Sequence, residues 1–315
     1  MNLELRDPIA SDVASEHADW IELSALRADD QNSSYQDLVA SLRRAGTVDA
    51  IEDRNSPDQG SEVSQQLADT AFSELSNRVN YCGDTYPFIL DEQVLQLVRS
   101  DRDSDPYIFM LLLKYFGIDA LSYGVSGSSI FEELCTIAAK NYLGGDENGA
   151  MSYHFGFPRR MAPRGFRPAL DELCKAIREG GGSKDCPKSA KQKDARLDLV
   201  AWKPFPDGRI GRIIAFGQCA AGDNYDGKAS ELSSRQFYQR WMQTPLRTEP
   251  LIFFFVPRCI DDDELDHVSA LGSTIFFDRC RIASHFGKFS SEDDEVRARR
   301  SNWCKSVIER KLGSQ

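Results

Sequence analysis

The sequence predicts an α/β sandwich with a mixed sheet flanked by helices, preceded by an N-terminal helical module. Three observations lead there. The 315 residues are 41% hydrophobic, enough to bury a large core. Up to residue 105 the apolar positions recur at helical spacing, without a strand-like run. From Pro106 onward, helical stretches alternate with short runs rich in β-branched and aromatic residues.

The front end reads as helices. In "SDVASEHADWIELSALRA", Ser11 is the cap and Val13, Trp20, Ile21, Leu23 and Leu26 fall mostly on one side. "SYQDLVASLRRAG" runs from a Ser34 cap to a stop at Gly46. Residues 54–62, "RNSPDQGSE", have a linker's composition. Beyond them Val63, Leu67, Ala71, Leu75 and Val79 recur every fourth residue, the apolar stripe of a helix.

The body begins with two buried helices, "YIFMLLLKYFG" and "SGSSIFEELCTIAAKNYLGG", the second capped near Ser128 or Ser129 and stopped by Gly144 and Gly145. "FRPALDELCKAIREGGG" is a third helix. "RLDLVAW" and "RIGRIIAFG" form a strand pair joined through "KPFPDG", whose Pro-Asp-Gly signals a hairpin turn. A helix over "ASELSSRQFYQRWMQ", a buried strand "LIFFFVP", a helix "DDDELDHVSALG" and a strand "STIFFDRCRI" follow. The tail from Asp293 is a basic amphipathic helix. Three segments result: an acidic helical module at 1–105, an α/β domain at 106–291, and a C-terminal helix at 292–315 packed on the core.

Composition excludes several classes. No stretch has the roughly 18 to 20 uninterrupted apolar residues of a membrane span, and "MNLELRDPIASD" is too acidic for a secretory signal. A cytoplasmic protein without a membrane partner is expected. The eight cysteines form no CxxC pair, and the four histidines show no metal-ligand spacing, so scattered reduced thiols are expected. The net charge of -11 is unevenly distributed: residues 1–105 hold 22 acidic against 8 basic residues, while 106–291 hold 22 against 24. An acidic front end repels free DNA and suits docking to a protein partner. Between Arg159 and Arg196, eleven Lys or Arg face five acids, and Arg159, Arg160, Arg164 and Arg167 are candidates for contact with DNA phosphates. The Gly- and Lys-rich centre of this segment equally suits a solvated loop.

The chemistry-bearing residues cluster around the strand pair. Asp198 lies in the first strand and Gln218 closes the second, so a hairpin brings their polar ends together at one edge of the sheet. A carboxylate and an amide oxygen there suit a hard divalent cation. Glu132, or its neighbour Glu133, lies beside the buried face of its helix and supplies a third oxygen. Lys228 adds a positive charge for orienting a nucleophile or stabilising a phosphoryl transition state. Each residue has a plain structural alternative: Asp198 as a turn or cap partner, Gln218 satisfying loop amides, Glu132 and Lys228 as solvated helix residues.

Together "GSSIFEELCTIAA", "LDLVAW" and "FGQCA" resemble the restriction-endonuclease-like PD-(D/E)XK superfamily, in its Mrr-like form where glutamine replaces the usual second acid. The resemblance spans about residues 128 to 280 and implies a restriction-endonuclease-like core binding Mg²⁺ or Mn²⁺ through Glu132, Asp198 and Gln218. It also implies a lysine two positions after the last ligand, where this chain has Ala220. Lys228 as a relocated lysine, an engineered inactivating change and a natural loss of activity all account for that departure. The resulting expectation is a metal-dependent DNA endonuclease, working within a restriction-like or antiphage defence assembly. The alternative is a catalytically inactive nuclease-fold subunit that binds DNA or scaffolds partner proteins.

Overall fold

The computed structural model describes residues 13–45, 59–98, 103–118, 126–159, 163–185, 193–222, 224–286 and 292–312. The elements begin with α1 (Ala14–Arg27), β1 (Asn32–Ser34), α2 (Tyr35–Arg44), α3 (Gln59–Cys82), β2 (Phe88–Asp91), β3 (Val94–Leu97) and α4 (Pro106–Phe116). Next come α5 (Gly127–Tyr142), β4 (Met151–His154), α6 (Phe166–Ile177), β5 (Leu199–Lys203), β6 (Ile213–Cys219), α7 (Asp226–Ala229) and α8 (Ser234–Trp241). The last are β7 (Leu251–Phe255), α9 (Asp262–Gly272), β8 (Ile275–Phe277), α10 (Arg279–Phe286) and α11 (Asp294–Val307). The chain divides into two compact units, Met1–Tyr115 with Arg300–Gln315, and Phe116–Arg299. The first unit therefore takes in nearly all of α4 and the end of the chain, where the sequence reading had set boundaries at 105 and 292. Among the described residues no helix is long and apolar enough to cross a membrane.

In the first unit the cap expected at Ser34 is present and is a full capping box: its hydroxyl accepts from the Asp37 N–H while the Asp37 carboxylate accepts from the Ser34 N–H. Ser11 and Gly46 lie outside the described residues, and Val13 holds the cap position of α1 without a side-chain bond. Helix α3 begins at Gln59, inside the stretch read as linker. The module is also not purely helical. Strands β1, β3 and β2 form an antiparallel sheet in that order, with Asn32 opposite Gln96 and Phe88 opposite Leu97. These strands are three or four residues long and partly polar, so they carry no readable alternation.

A buried ionic hub ties this unit together. Arg78 is 0% exposed, and its guanidinium lies 2.8 Å from Asp19, 3.0 Å from Glu22 and 2.9 Å from Glu74. The hydroxyls of Tyr86 and Tyr107 both donate to Glu22 Oε1, at 2.6 and 2.8 Å. Charges this deep are tolerated because each has opposite charge or a hydrogen bond. Helix α4 is buried from Tyr107 through Leu113, and Phe109 meets Trp303 edge-on at 5.1 Å.

The second unit is built on one mixed sheet of order β4-β5-β6-β7-β8. Strands β4, β5 and β6 are antiparallel neighbours, whereas β6, β7 and β8 run parallel. Side-chain alternation gives the sheet two faces. On one face Val200, Trp202, Ile214 and Phe216 pack with Leu170 and Leu173 of α6 and Phe237 and Trp241 of α8. The same face continues through Ala220, Phe254 and Val256 against Ala229 of α7 and Val268 of α9. On the other face Tyr142 of α5 meets Phe253 and Phe277 edge-on, at 5.6 and 5.2 Å.

Three sequence readings differ here. Strand β4 was missed because "MSYH" is exposed or half-buried throughout. The helix expected over "ASELSSRQFYQRWMQ" is confined to α8, Ser234–Trp241, with α7 already ended at Ala229, since the Ser233 side chain caps α8 by accepting from Gln236 N–H. The strand expected over "STIFFDRCRI" stops at Phe277, because Asp278 caps α10 by accepting from Arg281 N–H at 2.8 Å.

Candidate functional site

Asp198 lies just ahead of β5, one step beyond the register pair Leu199↔Gly217, at the end of the sheet where β6 finishes. Its backbone is held from both sides. The N–H donates to Gly217 O at 2.9 Å, and the carbonyl accepts from Phe155 N–H and Gly156 N–H at 2.8 and 2.7 Å. The side chain is held as well, with Oδ2 accepting from Cys219 N–H at 2.7 Å. Burial pushes the Asp198 carboxyl well above the ordinary carboxylate range, and the negative charge of Glu132 pushes it further. Asp194 adds to that push, while the Cys219 hydrogen bond and the charge of Lys228 pull the other way.

Glu132 projects from α5, and its Oε2 lies 2.9 Å from His154 Nε2 at the end of β4. Gly156 makes this approach possible. A Cβ there would sit 2.1 Å from Glu132 Oε2 and 3.1 Å from His154 Nε2. The alternative, Glu133, is engaged elsewhere, in a two-pronged ion pair with Arg299 at 2.7 and 2.9 Å. Beside the site, burial raises the pKa values of the Cys135 and Cys219 thiols.

Gln218 is 5% exposed, and its Oε1 is a buried oxygen with no hydrogen-bond partner among the described residues. Alternation puts Gln218 on the face shared with Phe216 and Ala220, the face that α7 and its Lys228 cover. Glu132 reaches Asp198 from α5, which covers the opposite face. Asp198 is thus the meeting point at the rim, and the three expected ligands do not line one face of the sheet. Ala220, where the resemblance implies lysine, is 1% exposed and packs in the apolar cluster of Tyr225, Phe254 and Val256. Asp223 and the Asp226 side chain lie outside the described residues.

The basic candidates separate. Arg159 is buried, donates to the carbonyls of Arg164 and Lys193, and lies over the Phe155 ring, so its guanidinium is occupied within the fold. Arg164 is exposed, and Arg167 pairs with Asp185 at 2.9 Å in an exposed setting. Arg160 lies outside the described residues.

Sequence reasoning missed His154, Asp194 and Gly156, because their relation to Glu132 and Asp198 is tertiary and leaves no spacing signal. It also missed a second cluster. Cys259, Asp278 and Cys280 are all buried, with one ligand atom from each lying within 4.8 Å of the others, and this cluster could hold a metal ion. Among the described residues it is the one such group of His, Cys, Asp and Glu side chains. No family model matches the chain, and neither a curated protein nor a solved structure matches it.

Proposed function

We propose that the chain is a metal-dependent DNA endonuclease whose site is centred on Asp198 and Glu132. The observation that carries this reading is that Gly156 at the sheet rim touches both acids, donating its N–H to Asp198 O at 2.7 Å and lacking the Cβ that would lie 2.1 Å from Glu132 Oε2, so that the Glu132 charge bears on the buried Asp198 carboxyl. Two acids held this way repel each other unless a proton or a cation lies near them. The carboxyl oxygens of Asp198 and Glu132 fit a hard divalent ion such as Mg²⁺ or Mn²⁺, whereas Gln218, on the opposite face from Glu132, does not complete the set that the resemblance implies. Such an ion would neutralise charge on phosphate oxygens and lower the pKa of an attacking water. His154 would fix the Glu132 carboxylate, as a hydrogen-bonded neighbour orients a metal ligand. Lys228, within electrostatic reach of Asp198, would stand in for the lysine that Ala220 replaces. DNA as substrate, the Mrr-like restriction-endonuclease core and a role in a defence assembly with a protein partner rest on the sequence resemblance.

The test is cleavage of supercoiled plasmid by the full chain with Mg²⁺ or Mn²⁺, alongside Asp198→Asn and Lys228→Ala. Divalent-dependent nicking that both substitutions suppress, with DNA affinity retained, is expected. Intact plasmid across both ions, or nicking indifferent to Asp198→Asn, refutes the enzyme. One observation favours a second reading, a noncatalytic DNA-binding or scaffolding subunit: the Ala220 methyl is enclosed by apolar side chains, as suits a chain that has given up the lysine. DNA retention without cleavage would select it.

A further inference from the structure

We propose that Cys259, Asp278 and Cys280 form a zinc site that fastens the loop leaving β7 to the first turn of α10. This inference is independent of the Asp198 reading. Strands β7 and β8 are parallel neighbours, with Phe255 paired to Phe277, so their exits lie side by side. Cys259 follows the first exit, and Asp278 and Cys280 follow the second.

The spacing suits a tetrahedral ion. Two thiolates bound at about 2.3 Å to one tetrahedral zinc stand about 3.8 Å apart. The Cys259 and Cys280 sulfurs are thiols 3.7 Å apart. A pair of sulfurs selects a thiophilic ion over Mg²⁺ or Ca²⁺, and the buried setting shields it from water.

The surrounding bonds hold the cage in place without the ion. Asp278 Oδ1 accepts from Arg281 N–H at 2.8 Å, which fixes the carboxylate, one of whose oxygens lies within 4.8 Å of both sulfurs. The two segments are joined by Arg279 N–H to Arg258 O at 2.9 Å and by Arg279 Nε to Pro257 O at 3.0 Å. Charge also balances. Two thiolates and one carboxylate offset the divalent ion together with the fully buried guanidinium of Arg279. Loading therefore releases the two thiol protons to solvent, with no change of oxidation state. Three protein ligands leave the fourth corner to a non-protein ligand.

The test uses the full chain, purified under reducing conditions, stripped with a chelator and titrated with Co²⁺ as the spectroscopic probe. Thiolate-to-cobalt charge transfer and tetrahedral visible bands should saturate at about one equivalent, and stoichiometric zinc should abolish them while millimolar Mg²⁺ does not. Cys280→Ser should weaken Co²⁺ affinity by tenfold or more, on the order of the effect seen when a metal site's supporting groups are lost. Because that variant could fail to fold, the unmodified chain supplies a second readout. Zinc should protect Cys259 and Cys280 from alkylation, mapped by peptide mass, and a chelator should restore it. Absence of the charge-transfer bands, equal alkylation with and without zinc, or a Cys259–Cys280 disulfide in the freshly isolated chain would each overturn the site.

Discussion

Replacing Gly156 by alanine tests whether the Glu132 carboxylate must stand where it does. The φ of Gly156 lies outside the left-handed region, so the backbone accepts alanine and any effect comes from the added methyl. That methyl would lie 2.1 Å from Glu132 Oε2, where ordinary contact begins near 3.4 Å, so the carboxylate must retreat by about 1.3 Å. Retreat disturbs the 2.9 Å contact with His154 and moves the carboxylate from the place it holds beside the rim. Overpacking of this kind costs about 1–3 kcal/mol, and displacing a catalytic group by roughly 1 Å costs on the order of 100-fold in rate. Urea titration reads the first effect and divalent-dependent plasmid nicking reads the second. A double-mutant cycle with Glu132→Ala isolates the cause, because removing the carboxylate removes the clash and Gly156→Ala should then be nearly neutral. If Gly156→Ala unfolds at the parent's urea midpoint and nicks at the parent rate, Glu132 is not held where these distances require.

Other outcomes follow from the same geometry. Asp198 has a folded pKa raised by burial and by Glu132, so its protonated form favours folding; metal-free stability is full below the ordinary value of 3.8 and is lost as pH rises through the raised value. Asp198→Asn should therefore melt above the parent at neutral pH without metal, and melting curves with the same pH dependence for both would refute this. Arg78→Met removes the cation shared by Asp19, Glu22 and Glu74, although Lys114 still pairs with Asp19 at 3.2 Å, and should cost about 3–5 kcal/mol in urea; a loss below 1 kcal/mol, well under that range, would show the hub to be dispensable. Arg164→Gln with Arg167→Gln should lower the salt slope of DNA binding by about 0.9 per lost phosphate contact. Arg159→Gln should instead lower the melting temperature, since that guanidinium is spent on Arg164 O and Lys193 O.

Local patterns were legible where local forces decide. The four-residue repeat from Val63 to Val79 marks α3, and Ser34 followed by Asp37 marks the start of α2, because stripe and capping box are written within one or two turns. "LDLVAW" and "RIIAFGQC" mark the central strands, whose buried runs survive in any sheet order. The three short strands of the first unit and β4 were not legible, since each is recruited by a neighbour rather than by its own composition. Two helix caps, Ser233 and Asp278, sit inside runs that read as continuous elements. At the site, Glu132 and Asp198 could be named from residue type and element, but the contribution of His154 depends on the placement of β4 beside β5. Cys259 and Cys280 lie 21 residues apart, and only the parallel pairing of β7 with β8 makes them neighbours.

The division of the chain has a consequence for its synthesis. The residues of Phe116–Arg299 interrupt the first unit, whose other part begins at Arg300. As the chain emerges from the ribosome, the Arg78 hub can assemble early, yet Phe109 must wait for Trp303 and the Ser104 carbonyl for Arg300, which donates to it from Nε at 2.9 Å. The inserted unit has all of its own sheet by then and can finish first, against the usual N-terminal-first order. Truncation from the C-terminal end should accordingly injure the N-terminal unit before the sheet that precedes the cut.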